Sequence, residues 1–127
     1  MKGIVVTTNN KATVREFTSP LFESVGAAVG GFIEVVHPRG LPQPYCMVVN
    51  EEGLLQGLPH NAHGSLLYGT PEHGHPIVGD IVFMKEGWTA DGPDIVGLCD
   101  DDVESIITLL AKQYTLTVEE GKNNETE

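Results

Sequence analysis

The chain has little of what would commit it to a membrane, an oxidising compartment or a nucleic acid. No apolar run approaches the roughly 20 residues that a spanning helix needs. The opening MKGIVVTTNN is too short and too polar for a signal peptide. Both absences point to a cytoplasm, that of a bacterial host. Cysteine occurs only at Cys46 and Cys99, far apart and outside any C-x-x-C pattern. Two such thiols read as reduced core residues in strand-like contexts. Basic residues are scarce, seven against eighteen acids, for a net charge of −11. That balance opposes neutralisation of a phosphate backbone, so direct nucleic-acid binding is not expected, and neither is a membrane partner.

Catalytic signatures are missing too. There is no G-x-S-x-G and no H-E-x-x-H. Gly26, Gly30 and Gly31 lie inside and after a helix, whereas a phosphate loop places glycine before one and a lysine behind it. Asp100-Asp101-Asp102 lacks the spacing of a calcium loop and reads as a helix start. The sequence therefore nominates no catalytic residue, no metal and no cofactor.

What is there fits one domain. A chain of 127 residues with 40% apolar content can bury a core without staples. Residues 3–8 (GIVVTT) and 12–18 read as strands. Ser19 then reads as the cap of a helix with Pro20 in its first turn, Leu21, Val25, Ala28 and Val29 on one face, and Gly30-Gly31 at its end. Residues 32–37 and 45–50 form a hairpin around the proline-rich loop 38–44. A short helical turn is expected near 61–68, in a stretch otherwise broken by glycine and proline. Residues 77–84 (IVGDIVFM) are apolar on both faces and read as a central strand. Residues 85–94 read as a turn-rich excursion, and 94–98 as a short strand. The final helix has Asp101 as cap and Glu104 as its reciprocal partner, with a stripe of Val103, Ile106, Ile107 and Leu110. The expected fold is α+β, a small, mostly antiparallel mixed sheet with two main helices. Residues 1–117 make the domain, and 118–127 an acidic disordered tail.

The segments VGGFIEVV (29–36), VVNEEG (48–53) and GLPHN (57–61) occur in that order, followed by Tyr68-Gly69 and a G-D-I-V strand from Gly79. In this order they resemble a family of small phage and bacterial proteins, domain of unknown function 3846, over about residues 1–112. The resemblance implies a shared fold and a phage or mobile-element origin, and carries no activity.

Candidate site residues gather around those segments. Asn50, before Glu51-Glu52-Gly53, reads either as a turn former that bonds its own backbone or as a ligand reader. In the second reading Asn50, Glu51 and Asn61 share a cleft able to hold a base or ribose, with His60, Tyr68 and Glu34 beside them. Glu34 reads equally as the wet face of a half-buried strand. His60, His63, His73 and His75 have spacings that zinc tolerates, or that would suit a pH-sensitive loop, but no companion motif. The leading expectation is a non-enzymatic, phage-encoded binding protein that sequesters a nucleotide-derived host defence signal. An acidic nucleic-acid mimic that inhibits a host protein is the alternative, and an enzyme of unrecognised type the third. The partner is a small nucleotide-like ligand or a host protein, and a homo-oligomer is left open.

Overall fold

The computed structural model describes residues 1–119. In chain order the elements are β1 (Lys2–Val6), β2 (Lys11–Glu16), α1 (Leu21–Val29), β3 (Ile33–Val36), β4 (Tyr45–Asn50), α2 (Ala62–Tyr68) and α3 (Thr70–His73). They continue with β5 (Ile81–Thr89), β6 (Gly92–Val96), α4 (Asp100–Gln113) and β7 (Thr117–Glu119). Among the described residues the strands form one seven-stranded sheet in the order β3-β4-β5-β1-β2-β7, with β6 paired to the far half of β5. Every ladder is antiparallel except β2 with β7. The fold is α+β and mostly antiparallel, with a third helix of substance in α2 beside α1 and α4.

The sheet is covered on both sides, which is why β5 is apolar in consecutive positions rather than alternate ones. Ile81 and Phe83 join a cluster with Leu67 of α2 and Ile106 and Leu110 of α4. Val82 and Met84 turn the other way, onto Val25 and Val29 of α1. Phe83 is fully buried, and its truncation to alanine would cost about 3–5 kcal/mol. Gly64 sets how closely α2 approaches this strand, because a Cβ there would stand 2.8 Å from Ile77 and 2.9 Å from Ile81 side-chain carbons. Gly30 ends α1 at φ 89°, donating to the Gly26 carbonyl at 2.8 Å, as a left-handed cap requires.

Several local expectations are corrected. Ser19 does not cap α1. Pro20 occupies the cap position without a side-chain bond, and Ser24 Oγ inside the helix donates to the Thr18 carbonyl instead. The cap of α4 lies two residues earlier than the acid run suggested. Cys99 holds the cap position and Asp102 accepts from its amide at 2.9 Å. The central strand starts at Ile81, since Gly79 at φ 79° turns the chain just before it. Residues 85–94 are no excursion: β5 continues to Thr89 and turns back at Ala90-Asp91 into β6, with Trp88 82% exposed on the hairpin. Val118 and Glu119, placed in a tail because no apolar residue follows Val118, pair with β2 instead. The remainder of that expected tail, 120–127, lies outside the described residues. Cys46 is buried but Cys99 is exposed, so only one thiol belongs to the core.

Candidate functional site

A cavity of about 590 Å³ opens at the β3 side of the sheet. Three segments distant in sequence wall it: β3 and the end of β4 with the turn that follows, Tyr68 at the end of α2, and residues 75–78. Four of the six nominated residues line it, namely Glu34, Asn50, Glu51 and Tyr68. Asn61 and His60 do not.

Asn50 builds the first wall. Its Oδ1 accepts from the Glu52 amide at 2.8 Å, the bond by which asparagine closes a turn on itself. Its Nδ2 donates to the Val29 carbonyl at 3.1 Å and to Gln56 Oε1 at 3.2 Å. With the side chain 5% exposed and its polar atoms engaged, Asn50 shapes the wall rather than reading what enters. The turn it holds presents Glu51 and Glu52 to the cavity, together with Leu54 and Leu55, which are 65% and 87% exposed.

Asn61 fixes the opposite wall from inside the protein. Fully buried, it caps α2 by accepting from the Gly64 amide at 3.0 Å, and its Nδ2 donates to the Val6 and Gly79 carbonyls at 3.0 and 2.9 Å. One amide thus bolts α2 to β1 and to the turn before β5. Tertiary burial turned a candidate ligand reader into a cap. Ser65 completes the wall, donating to the Ile77 carbonyl at 3.1 Å and accepting from the Ile77 amide at 2.9 Å. His60 is exposed on an isolated bridge to Val78.

The histidines do not act as a group. His63 is fully buried, its Nε2 donating to the Thr115 carbonyl at 2.8 Å while Nδ1 accepts from Gln113 Nε2 at 3.1 Å. Both ring nitrogens are engaged in joining α2 to the end of α4. His73 Nε2 donates to the Tyr68 carbonyl at 2.9 Å, and its ring meets the Tyr68 ring edge-on with centroids 5.1 Å apart. His75 lines the cavity beside it. Among the described residues no three histidine, cysteine or carboxylate side chains converge on a common point. Nucleophilic chemistry has no support at Cys46, whose thiol burial pushes up to about 12.

The cavity is acidic. Glu34, Glu51 and Glu52 line it without a lysine or arginine, and His75 is the one lining group able to take a positive charge. None of the three glutamates forms an ion pair among the described residues. Arg39 lines a separate cavity of about 270 Å³ that shares Tyr68. What the arrangement offers chemically is several carboxylate acceptors, a phenol and two exposed leucines.

A small α+β domain with an acid-lined cleft at one edge of its sheet is the class that fold and cavity define. Within it, residues 1–111 match the family described as Domain of unknown function (DUF3846), and the chain belongs to that family. No curated protein and no solved structure matches the chain. None of the described helices is long and apolar enough to cross a membrane.

Proposed function

We propose that this is a non-enzymatic binding protein of phage or mobile-element origin that acts through the cleft between β3, the 51–55 turn and Tyr68. The observation that carries this reading is that Glu34 of β3, Glu51 and Glu52 of the turn after β4, and Tyr68 at the end of α2 line one cavity of about 590 Å³, a size suited to a small ligand or a side-chain cluster. Carboxylates accept hydrogen bonds and attract positive charge. The matching guest is therefore an amine, a guanidinium or the donor edge of a nucleobase. A nucleotide-derived signal satisfies the donor requirement with its base and ribose. Its phosphates would meet three glutamates with no lysine or arginine in the lining and His75 as the one counterweight, which weighs against a phosphorylated guest. Support for the acidic-mimic alternative is thinner, since Asp100 and Asp102 of the acidic run are paired with Lys2 and Lys85.

Calorimetric titration with spermidine, adenosine and AMP separates these guests. The cleft reading expects spermidine or adenosine to bind and AMP to bind more weakly than adenosine. It expects Glu51→Gln to lower the affinity about tenfold, the equivalent of one charged hydrogen bond. AMP binding more tightly than adenosine, or indifference to Glu51→Gln, would reject the reading.

A further inference from the structure

Among the described residues β3 is the outermost strand on the cleft side of the sheet and pairs only with β4. The Glu51 amide donates to the Phe32 carbonyl at 2.8 Å, which sets the phase of the ladder. Phe32, Glu34 and Val36 bond toward β4, so Ile33 and Val35 direct their N–H and C=O groups outward. Among the described residues no backbone group bonds to those outward groups. A row of open donors and acceptors is a template for another strand.

Side chains alternate across the same edge. Glu34 and Val36 line the acidic cleft. Ile33 points to the opposite face and lines a second, mainly apolar groove of about 640 Å³ with Phe22, Gly26 and Phe32. Phe22 and Phe32 are 64% and 74% exposed, and Glu51 borders both depressions. The open edge thus runs between an acidic recess and an apolar one.

We propose that the β3 edge receives, as an added strand, an extended segment of a partner protein in which basic and apolar side chains alternate. The inference rests on the cleft being a binding site. Backbone bonds to Ile33 and Val35 would supply the docking, and the two-residue period of a strand would supply the specificity. Lysines or arginines at one parity fall on Glu34, Glu51 and Glu52. Apolar side chains at the other parity fall on Ile33, Phe22 and Phe32. Charge selects this occupant over a second copy of the chain: neither lining holds a lysine or arginine, and a copy carrying −11 would bring its own Glu34 and Glu51 to the same edge.

The full chain can be titrated by fluorescence anisotropy with a labelled octapeptide of alternating lysine and valine. Two control peptides alternate glutamate and valine, or keep the lysine–valine order with the amides of one edge N-methylated. The lysine–valine peptide should bind, and both controls should bind at least about tenfold more weakly. Val35→Pro removes an outward donor while sparing every bond to β4, so it should keep the wild-type circular dichroism and lose peptide affinity at least about tenfold. Glu34→Lys, which leaves the backbone alone, should do the same and decides the matter if the proline variant does not fold. Three results would overturn the proposal: equal binding of either control peptide, wild-type binding by the folded variants, or a wild-type dimer in light scattering that Val35→Pro dissolves. Spermidine binding that depends on Glu51, with no peptide binding, would reject strand addition and leave the cleft reading standing. No binding of peptide, spermidine or adenosine would reject both.

Discussion

Acidic side chains gather in two regions of this protein, and the two use their charge in opposite ways. At the start of α4, Asp100 and Asp102 are answered from within. Asp102 accepts from Lys85 Nζ at 2.6 Å, from the Tyr45 hydroxyl at 2.9 Å and from the Cys99 amide at 2.9 Å. The Lys85 hydrogen bond is the chief reason its carboxyl stays well below the ordinary range, and Asp102 in turn holds the Lys85 ammonium above its own. Asp100 likewise pairs with Lys2 and raises it. At the β3 edge, Glu34, Glu51 and Glu52 surround a cavity with no lining lysine or arginine. Net charge alone hides this difference. Carboxylates satisfied in the fold stabilise it, whereas those arranged around an open cavity are available to something that enters.

Four substitutions or treatments would break or sharpen that contrast. The largest effect is expected at Asn61, which holds the far wall of the cleft without entering it. Asn61→Ala leaves the Gly64 amide and two buried carbonyls without their partner, and each such group costs about 1–3 kcal/mol. Urea unfolding should show a loss of about 3 kcal/mol or more, and a loss under about 1 kcal/mol would mean that the amide is not the bolt described above.

Asp102→Asn comes next, with an expected loss of about 2 kcal/mol at neutral pH, because a charged acceptor with three donors becomes a neutral amide. The effect has a definite pH dependence. A carboxyl depressed below its ordinary 3.8 stabilises the fold fully above that pH, and the stabilisation is lost as pH falls toward the depressed folded value. The gap in unfolding free energy between wild type and Asp102→Asn should therefore stay constant from neutrality down to about pH 5 and narrow below about pH 4. A gap that widened in acid would contradict the pairing.

Glu51→Gln is the counterpart in the other region. Its stability should stay within about 0.5 kcal/mol of wild type in the same urea series, since no ion pair is lost. Its affinity for spermidine should fall all the same. A stability loss comparable to that of Asp102→Asn would show the cleft glutamates to be structural, and the contrast would collapse. Smallest of all, a strong chelator should leave the melting temperature unchanged, because both His63 nitrogens are held by protein groups and no three potential ligands come together among the described residues. Stoichiometric zinc in the untreated protein would overturn that.

Much of the fold was legible because local chemistry specified it. The β3–β4 hairpin follows from two β-branched runs around a loop that three prolines keep out of the ladder. The centrality of β5 follows from apolar residues at both parities. The caps were less legible. Three consecutive aspartates suggested a cap among themselves, but Cys99 holds the cap position, and Asp102 in the first turn accepts from its amide as well as from Lys85 and Tyr45, both remote in sequence. The run from 85 to 94 misled through its glycines, although Asp91-Gly92 carried a hairpin signal. The cleft was half legible: Asn50 and Glu51 announced a turn, and Tyr68 belonged to the family motif. Nothing local indicated that residues 76–78 or Leu54 and Leu55 would join the lining.

By itself the sequence determined that this is an acidic α+β fold, where the main strands and helices fall, and to which family it belongs. Hydrophobic period, turn chemistry and motif order are properties of neighbouring residues, so they need no partner to be read. Only the tertiary structure decided which polar groups are satisfied inside the protein and which face a cavity. Asn50 and Asn61 are the same residue type in similar turn contexts. One shapes a cleft wall and the other is sealed beneath a helix, because what surrounds each amide comes from elements up to 55 residues away. The same holds for the carboxylates: whether a lysine meets an aspartate or leaves a glutamate open is fixed by packing, where Coulomb energy falls with distance through space and not along the chain.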